Sequence, residues 1–319
     1  MKAGHIVDLV NQLDTKRPIT VLGGAVIDVI AEAYSLPWRG CDIELKQRSV
    51  NIGGCGLNIA SALHRLGVES QNALPIGHGV WADMITNALN ARGIESVIKA
   101  DQGDNGWCLA LVEPDGERTF MSFSGVECEW NEAWLARLQM PPGGLIYLAG
   151  YQLAAACGEL LVSWLETLTD VTPFIDFGPR IEDIPPALLE RILQLKPIIS
   201  LNRQEAEIAA QFIEVETQDL GPAWQEKFGA PLIIRHDRDG ACYYDGAEHG
   251  HIPAFPATIV DTIGAGDSHA AGVLAGLSSG LSLADAIRLG NAIAALVVSQ
   301  RGGDCAPTRE ALILAYKDV

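Results

Sequence analysis

No apolar run in this 319-residue sequence reaches the roughly 20 residues that a membrane-crossing helix needs. The opening MKAGHIVDLVNQLDTKRP lacks the basic-then-apolar order of a signal peptide, so a cytoplasmic protein without a membrane partner is expected. Its seven cysteines are scattered and never fall in a CxxC spacing. They indicate neither a disulfide frame nor a zinc site, and read as reduced thiols packed as small hydrophobes. Clusters of Lys and Arg are missing too: 22 basic residues face 40 acidic ones, and the net charge of -18 sets long-range repulsion against a nucleic acid. An anionic small ligand therefore needs local donors or a metal. GxxxxGK[ST] does not occur, which excludes a P-loop NTPase, and the first apolar run ends in GGAVID instead of GxGxxG, against a dinucleotide-binding dehydrogenase. Internal repeats, low-complexity tracts and Pro, Gly or Ser-rich linkers are also lacking.

What is present is a composition of 48% hydrophobic and 19% charged residues, suited to one large core or a core plus an appendage. Apolar β-type runs such as ITVLGGAVIDVI (19 to 30), GLIYLAG (144 to 150), PFIDF (173 to 177), PIISLN (197 to 202) and PLIIRH (231 to 236) alternate with helical patterns. That rhythm predicts an α/β three-layer sandwich with a mostly parallel central sheet covered by helices on both faces. Two stretches break it. Residues 34 to 52 are irregular and then β-like, and WCLALVEPDGERTFMSF (107 to 123) reads as two strands about a Pro-Asp-Gly turn. We expect a single domain over 1 to 319 with a small β lid formed by about 34 to 52 and 104 to 125, projecting from the ligand edge of the sheet.

DTIGAGDSHAAG (261 to 272) carries the most specific chemistry. The small-residue run after it is helix-compatible, so Gly264, Ala265 and Gly266 fall at a helix N-terminus whose unpaired N–H groups and dipole favour an anion such as a transferring phosphoryl group. Asp267, itself negative, is then of use toward the neutral group that attacks. The plainer reading is that Asp267 caps the helix, although a cap alone does not call for three small residues before it or for Asp261 six residues upstream. GLSSG (276 to 280) satisfies the GxSxG pattern, but a helix precedes Ser278 where a nucleophile elbow needs a strand. His249 and His251 in EHGH have no other ligand nearby and read as an exposed loop.

DTIGAGDSHAAGVL resembles the C-terminal signature of the ribokinase/PfkB family of carbohydrate and nucleoside kinases at every position. GGCGLNIASALHRLGV (53 to 68) is similar to its N-terminal signature, VIDVI (26 to 30) to its first-strand substrate segment and SLNRQEAE (200 to 207) to its NxxE motif, in family order over about residues 19 to 310. The resemblance implies that Asp267 orients a substrate hydroxyl and takes its proton as the oxygen attacks the γ-phosphorus of ATP, with Gly264, Ala265 and Gly266 as anion hole. A helix N-terminus lowers an Asp pKa, so an ionised, weakly basic Asp267 and a late proton transfer are expected. By the same resemblance Asp28, on the first strand, accepts hydrogen bonds from sugar hydroxyls, and Gly53, Gly54 and Asn58 meet the same sugar. Gln152 stands where ribokinase has a Glu near the sugar.

On the nucleotide side the resemblance puts Arg235, Gly240 and Thr262, with Asn291 lining the adenine pocket, and has Asn202 and Glu205 organising Mg²⁺ and its waters. Read without it, Asn202 and Glu205 are a helix cap and a solvated acid, and Asn291 a polar residue on a packed helix. Val298 to Gly303, Gly303 included, with the carbonyls of Asp261 and Ile263, correspond to a loop for a monovalent cation such as K⁺. Lids of the family pair between subunits, which implies a homodimer through the lid. Where ribokinases have Asn and Lys this chain has Val26 and Cys55, and Asp237 replaces a glycine of the nucleotide loop. Trp107 is either an apolar wall of the pocket or hairpin core. A sugar is the expected substrate and a nucleoside, pseudouridine included, the alternative; a sensor that kept the fold without turnover is the non-enzymatic rival.

Overall fold

In the computed structural model, which describes residues 4–114 and 117–317, twelve strands form two sheets. The large sheet has the order β12-β11-β10-β9-β8-β7-β1-β4, from β1 (Ile19–Leu22), β4 (Ser70–Ala73), β7 (Gly144–Ala149), β8 (Val171–Asp176), β9 (Ile198–Leu201), β10 (Leu232–Arg235), β11 (Ala241–Asp245) and β12 (Glu248–Ile252). It is parallel from β4 to β10 and ends in the antiparallel β10-β11-β12 ribbon. Strands β1, β7 and β9 are buried along their whole length, as a sheet covered on both faces requires. One face packs on the helices Cys55–Arg65, Ala265–Ser278 and Leu283–Val297 through residues such as Leu63, Leu274 and Ile293. The other packs on Gly158–Leu165, Pro186–Gln194 and Arg203–Phe212 through Leu161, Ile192 and Ala209. This is the three-layer sandwich that the alternation predicts.

The small sheet has the order β3-β2-β5-β6, from β2 (Val26–Glu32), β3 (Lys46–Gly53), β5 (Trp107–Val112) and β6 (Arg118–Phe123). Here the structure corrects the sequence reading: 19 to 30 is not one core strand. β1 stops at Leu22, the chain turns at Gly23 and Gly24, and Val26–Glu32 leaves the core to become the centre of the lid. The turn is tight because the helix Cys55–Arg65 begins against it; a Cβ on Gly23 would lie 2.8 Å from the Gly56 Cα. Residues 34 to 45 contain no strand. The β5–β6 hairpin forms as expected, while Asp115 and Gly116 of its turn lie outside the described residues. His249 and His251 are exposed as expected, but on the edge strand β12 instead of a loop, where antiparallel pairing with β11 orders them. Ser278 ends a helix and its hydroxyl donates to the Arg17 carbonyl at 2.6 Å, a packing role. No helix among the described residues is long and apolar enough to cross a membrane.

Candidate active site

A cavity of about 500 Å³ opens between the lid and the ends of the core elements, and both Asp28 and Asp267 line it. Asp28 is brought there by the lid strand β2, not by the first core strand. Its register pairs it with Asn51 and Cys108, and Cys108 with Ser122, so these side chains share the face turned to the cavity. Gly53 lies so close that a Cβ there would overlap the Asp28 carboxylate. Burial first, then the charge of Asp267, push the Asp28 carboxyl up to about 6, and no hydrogen bond offsets them.

Asp267 is not the cap of its helix. The N-cap of Ala265–Ser278 is Gly264, at φ 74°, with no side-chain cap bond, and a Cβ on it would overlap the Gly303 carbonyl. Asp267 Oδ2 instead accepts a hydrogen bond from Asn58 Nδ2 at 2.7 Å, which fixes the carboxylate and ties the two motifs together. The expectation of a lowered pKa fails: burial outweighs the Asn58 bond, Asp176 adds like-charge repulsion, and the carboxyl is held above its ordinary range. Ala265 also departs from its expected part, since its amide donates to the Thr262 carbonyl at 3.2 Å. The amides of Gly264, Gly266 and Asp267 remain for an anion.

Arg235, at the end of β10, lies beneath that helix start; a Cβ on Gly266 would come within 2.5 Å of its Nη1. Its Nη2 is 3.1 Å from Asp176 at the end of β8 and 3.5 Å from Glu205. All three stand at carboxyl ends of core strands or on the helix after β9, where open α/β sheets bind ligands. Burial works against the guanidinium, but Asp176 and Glu205 overcome it and raise its pKa. Burial and then Asp176 push Glu205 up to about 7. Asn202 and Glu205 form a reciprocal capping box, with Glu205 N–H donating to Asn202 Oδ1 at 2.9 Å and Asn202 N–H to Glu205 Oε2 at 2.8 Å. Both carboxylate oxygens of Glu205 are engaged by Asn202. The pair fits Mg²⁺ only through the metal's waters, the way Mg²⁺ prefers to be held. Among the described residues no group of three or more metal-ligating side chains is assembled.

The remaining predicted residues divide. Gly54, Asn58, Gln152, Ile263 and Gly264 line the cavity, as do Val26 and Cys55. The Cys55 thiol is pushed up by burial and by Asp267, and so stays protonated. Trp107 touches the cavity, yet it pairs with Ile27 and Phe123 on the lid face opposite Asp28. Its ring stacks on Phe123 at 4.4 Å and lies 6.1 Å from Trp81, so it packs the lid against the helix Val80–Arg92. Asn291 is buried with its amide engaged internally: Nδ2 donates to the Ile252 and Pro253 carbonyls, and Oδ1 meets His269 Nε2 at 3.1 Å. As a hydrogen-bonding reader of adenine it is therefore unavailable. Gly240, at φ 94°, turns against the Ile252 carbonyl, Asp237 is exposed and paired with Arg203, and Thr262 is exposed. The Asp261 carboxylate accepts from Ile263 N, Gly302 N and Arg118 Nη1, each at 3.1 Å, and joins the two loops named for a cation. Burial acts against it, but these donors hold its carboxyl below the ordinary range. The Val298 carbonyl of the same loop already accepts from the amides of Val260 and Asp261.

Residues 16–309 match the family model of the pfkB family carbohydrate kinases. The chain belongs to this family. It is similar at 65% identity, over 100% of both chains, to an uncharacterized sugar kinase, YegV, of Escherichia coli (strain K12). It is also similar at 27% identity, over 80% of this chain and 83% of the relative, to the 1-phosphofructokinase of the same organism. A ribokinase from Thermotoga maritima shares the fold, with a TM-score of 0.80 at 21% identity over 95% of this chain and 100% of that one. As a member of the pfkB family of carbohydrate kinases the protein is an ATP-dependent phosphotransferase of the sugar-kinase type. Sequence reasoning missed Asp176, Arg118, Glu127 and Arg180 at the site. Asp176 had a readable signal, an acid closing the buried parallel strand PFID; the others are placed only by tertiary contacts.

Proposed function

We propose that this kinase moves the γ-phosphate of ATP to a hydroxymethyl group of a small sugar. Asp28 would hold the substrate hydroxyls, Asp267 orient the attacking hydroxyl and receive its proton, and the amides of Gly264, Gly266 and Asp267 take up the charge that develops on the phosphoryl oxygens. The observation that carries this reading is that Asp28 and Asp267 line one cavity, with Asp267 fixed by Asn58 at the head of a helix that rests on Arg235. The raised pKa of Asp267 supports a base better matched to an alcohol than an ordinary surface Asp. Mg²⁺, bound through water near Asn202 and Glu205, would supply charge neutralisation on the phosphates. Gly53, Gly54 and Gln152 would complete the sugar site. Arg235 and Gly240 would border the nucleotide, and Asp261, Ile263 and Gly303 a K⁺ loop.

A nucleoside is the second acceptor, favoured by Val26 and Cys55, which make the cavity wall less polar. The lid face turned away from Asp28 exposes Met121 and Phe123, which supports pairing of lids in a homodimer. The lid is read as part of one domain, and the location as cytoplasmic. Asp267→Asn is expected to lower kcat by about 10²- to 10⁴-fold while nucleotide affinity stays within about twofold. Coupled ADP release over a sugar and nucleoside panel, with equilibrium nucleotide binding, measures both; a variant that keeps most of its turnover removes Asp267 from the role.

A further inference from the structure

The charges around the cavity are lopsided. Among the described residues Asp28, Glu127, Asp183 and Asp267 line it, and Arg180 is the one cation that does. That guanidinium is engaged already: Nη1 donates to Asp183 Oδ2 at 2.9 Å and its carbon lies 5.4 Å over the Tyr151 ring. The polar atoms that remain without partners point the same way. Asn58 Nδ2 faces Asp267 and Gln152 Nε2 donates to the Glu127 carbonyl at 3.3 Å, so both amide orientations are fixed by acceptors. Each therefore leaves its oxygen over. Asn58 Oδ1 and Gln152 Oε1 are buried and accept no hydrogen bond, on side chains only 7% and 2% exposed. With the carboxylate of Asp28 they make a set of acceptors that a ligand rich in O–H or N–H donors satisfies. A phosphate or carboxylate brings no donor and meets the field of four acids.

We infer that the acceptor pocket admits only uncharged, hydroxyl-rich substrates and rejects sugar phosphates and sugar acids, with Asp183 cancelling the one cation that would otherwise attract them. This rests on the kinase reading above but concerns a different property, since it names the charge class of the acceptor.

The test uses the full chain and compounds that differ in charge: D-fructose with D-fructose 1-phosphate, and D-ribose and uridine with 2-dehydro-3-deoxygluconate. The best neutral compound is expected to exceed every anionic one by at least about tenfold in kcat/KM, the equivalent of one poorly screened charge contact. The gap should narrow as added salt screens the field. In Asp183→Asn the anionic-to-neutral ratio should rise by about three- to fivefold, the scale of a half-exposed pair. The proposal is overturned by a wild-type preference for an anionic compound, by a ratio that Asp183→Asn leaves unchanged, or by failure of every neutral compound to bind at millimolar concentration. Calorimetric binding of the same compounds without ATP separates the two claims: tighter binding of neutral compounds with no phosphoryl transfer upholds the charge class and overturns the kinase reading. Preferential transfer to an anionic sugar does the reverse.

Discussion

At the end of the site proposed to receive the phosphoryl group, Asp176, Arg235 and Glu205 stand on the core sheet and its following helix and hold one another by buried ion pairs, with the helix of Asp267 resting on them. At the acceptor end, Asp28 stands on a lid strand with no ion pair, and the lid itself is tied down by few polar contacts. Glu127 receives the amides of Gly106 and Gly125, one at each foot of the β5–β6 hairpin, both at 2.8 Å, and Arg118 reaches Asp261 across the cleft. On the function proposed above, the first arrangement would fix charge where it must not move, and the second would let a binding carboxylate travel with a closing flap. Damage at the phosphoryl end should therefore register as lost stability and lost kcat, and damage at the acceptor end as raised KM.

The strongest test of that contrast is Arg235→Met. It leaves Asp176 and Glu205 buried without their cation, a situation that costs about 3–5 kcal/mol. The loss should appear in denaturant unfolding at pH 8 and above and shrink as pH falls toward about 7, because without Arg235 the Glu205 carboxyl takes up its proton at a higher pH than in the wild type. A variant as stable as the wild type at pH 8 would show that the cluster is not held by its charges.

Asp28→Asn should act with the opposite sign. The unfolded carboxyl releases its proton near its ordinary 3.8, whereas the folded one holds it to about 6. The wild type therefore loses stability as pH rises from about 4 to 6, and carries the full penalty above that range. Removing the charge should raise stability at pH 7.5 by about 1–2 kcal/mol, after discounting for solvent screening, and change nothing below pH 4. The same variant should bind acceptor poorly, the usual exchange at a site built for function. Melting temperature against pH for the two proteins decides it, and parallel curves would mean that the Asp28 charge is not strained.

The unequal construction also explains what the sequence disclosed. Gly264 was legible because a left-handed N-cap against the Gly303 backbone admits no side chain, and such a demand is written locally; Gly266, close to the Arg235 guanidinium, lies in the same motif. The parallel core was legible because strands buried on both faces need unbroken apolar runs. β2 was not, since VIDVI continues the apolar run of β1 and a half-buried lid strand has the same letters as the end of a core strand. The raised pKa of Asp267 was hidden for a related reason: the helix terminus is a local feature, whereas burial and the field of Asp176 depend on how distant strands are stacked. Arg118 and Asp261, 143 residues apart, leave no pattern at all.

That last pair gives the mildest test. Arg118 opens β6, with its side chain 36% exposed, while the Asp261 side chain is 9% exposed and braces the amides of Ile263 and Gly302 beside the helix start. A half-exposed pair is worth about 0.2–1 kcal/mol, too little to matter for folding but comparable to the bias of a flap between open and closed. Arg118→Ala should leave the melting temperature nearly unchanged and raise the acceptor KM by about two- to fivefold with kcat kept. Arg118→Lys should restore part of the loss, and high salt should erase the difference from wild type. If Arg118→Ala instead lowered kcat by about a hundredfold at constant KM, Arg118 would belong to the phosphoryl end, and the division between a fixed end and a travelling one would fall.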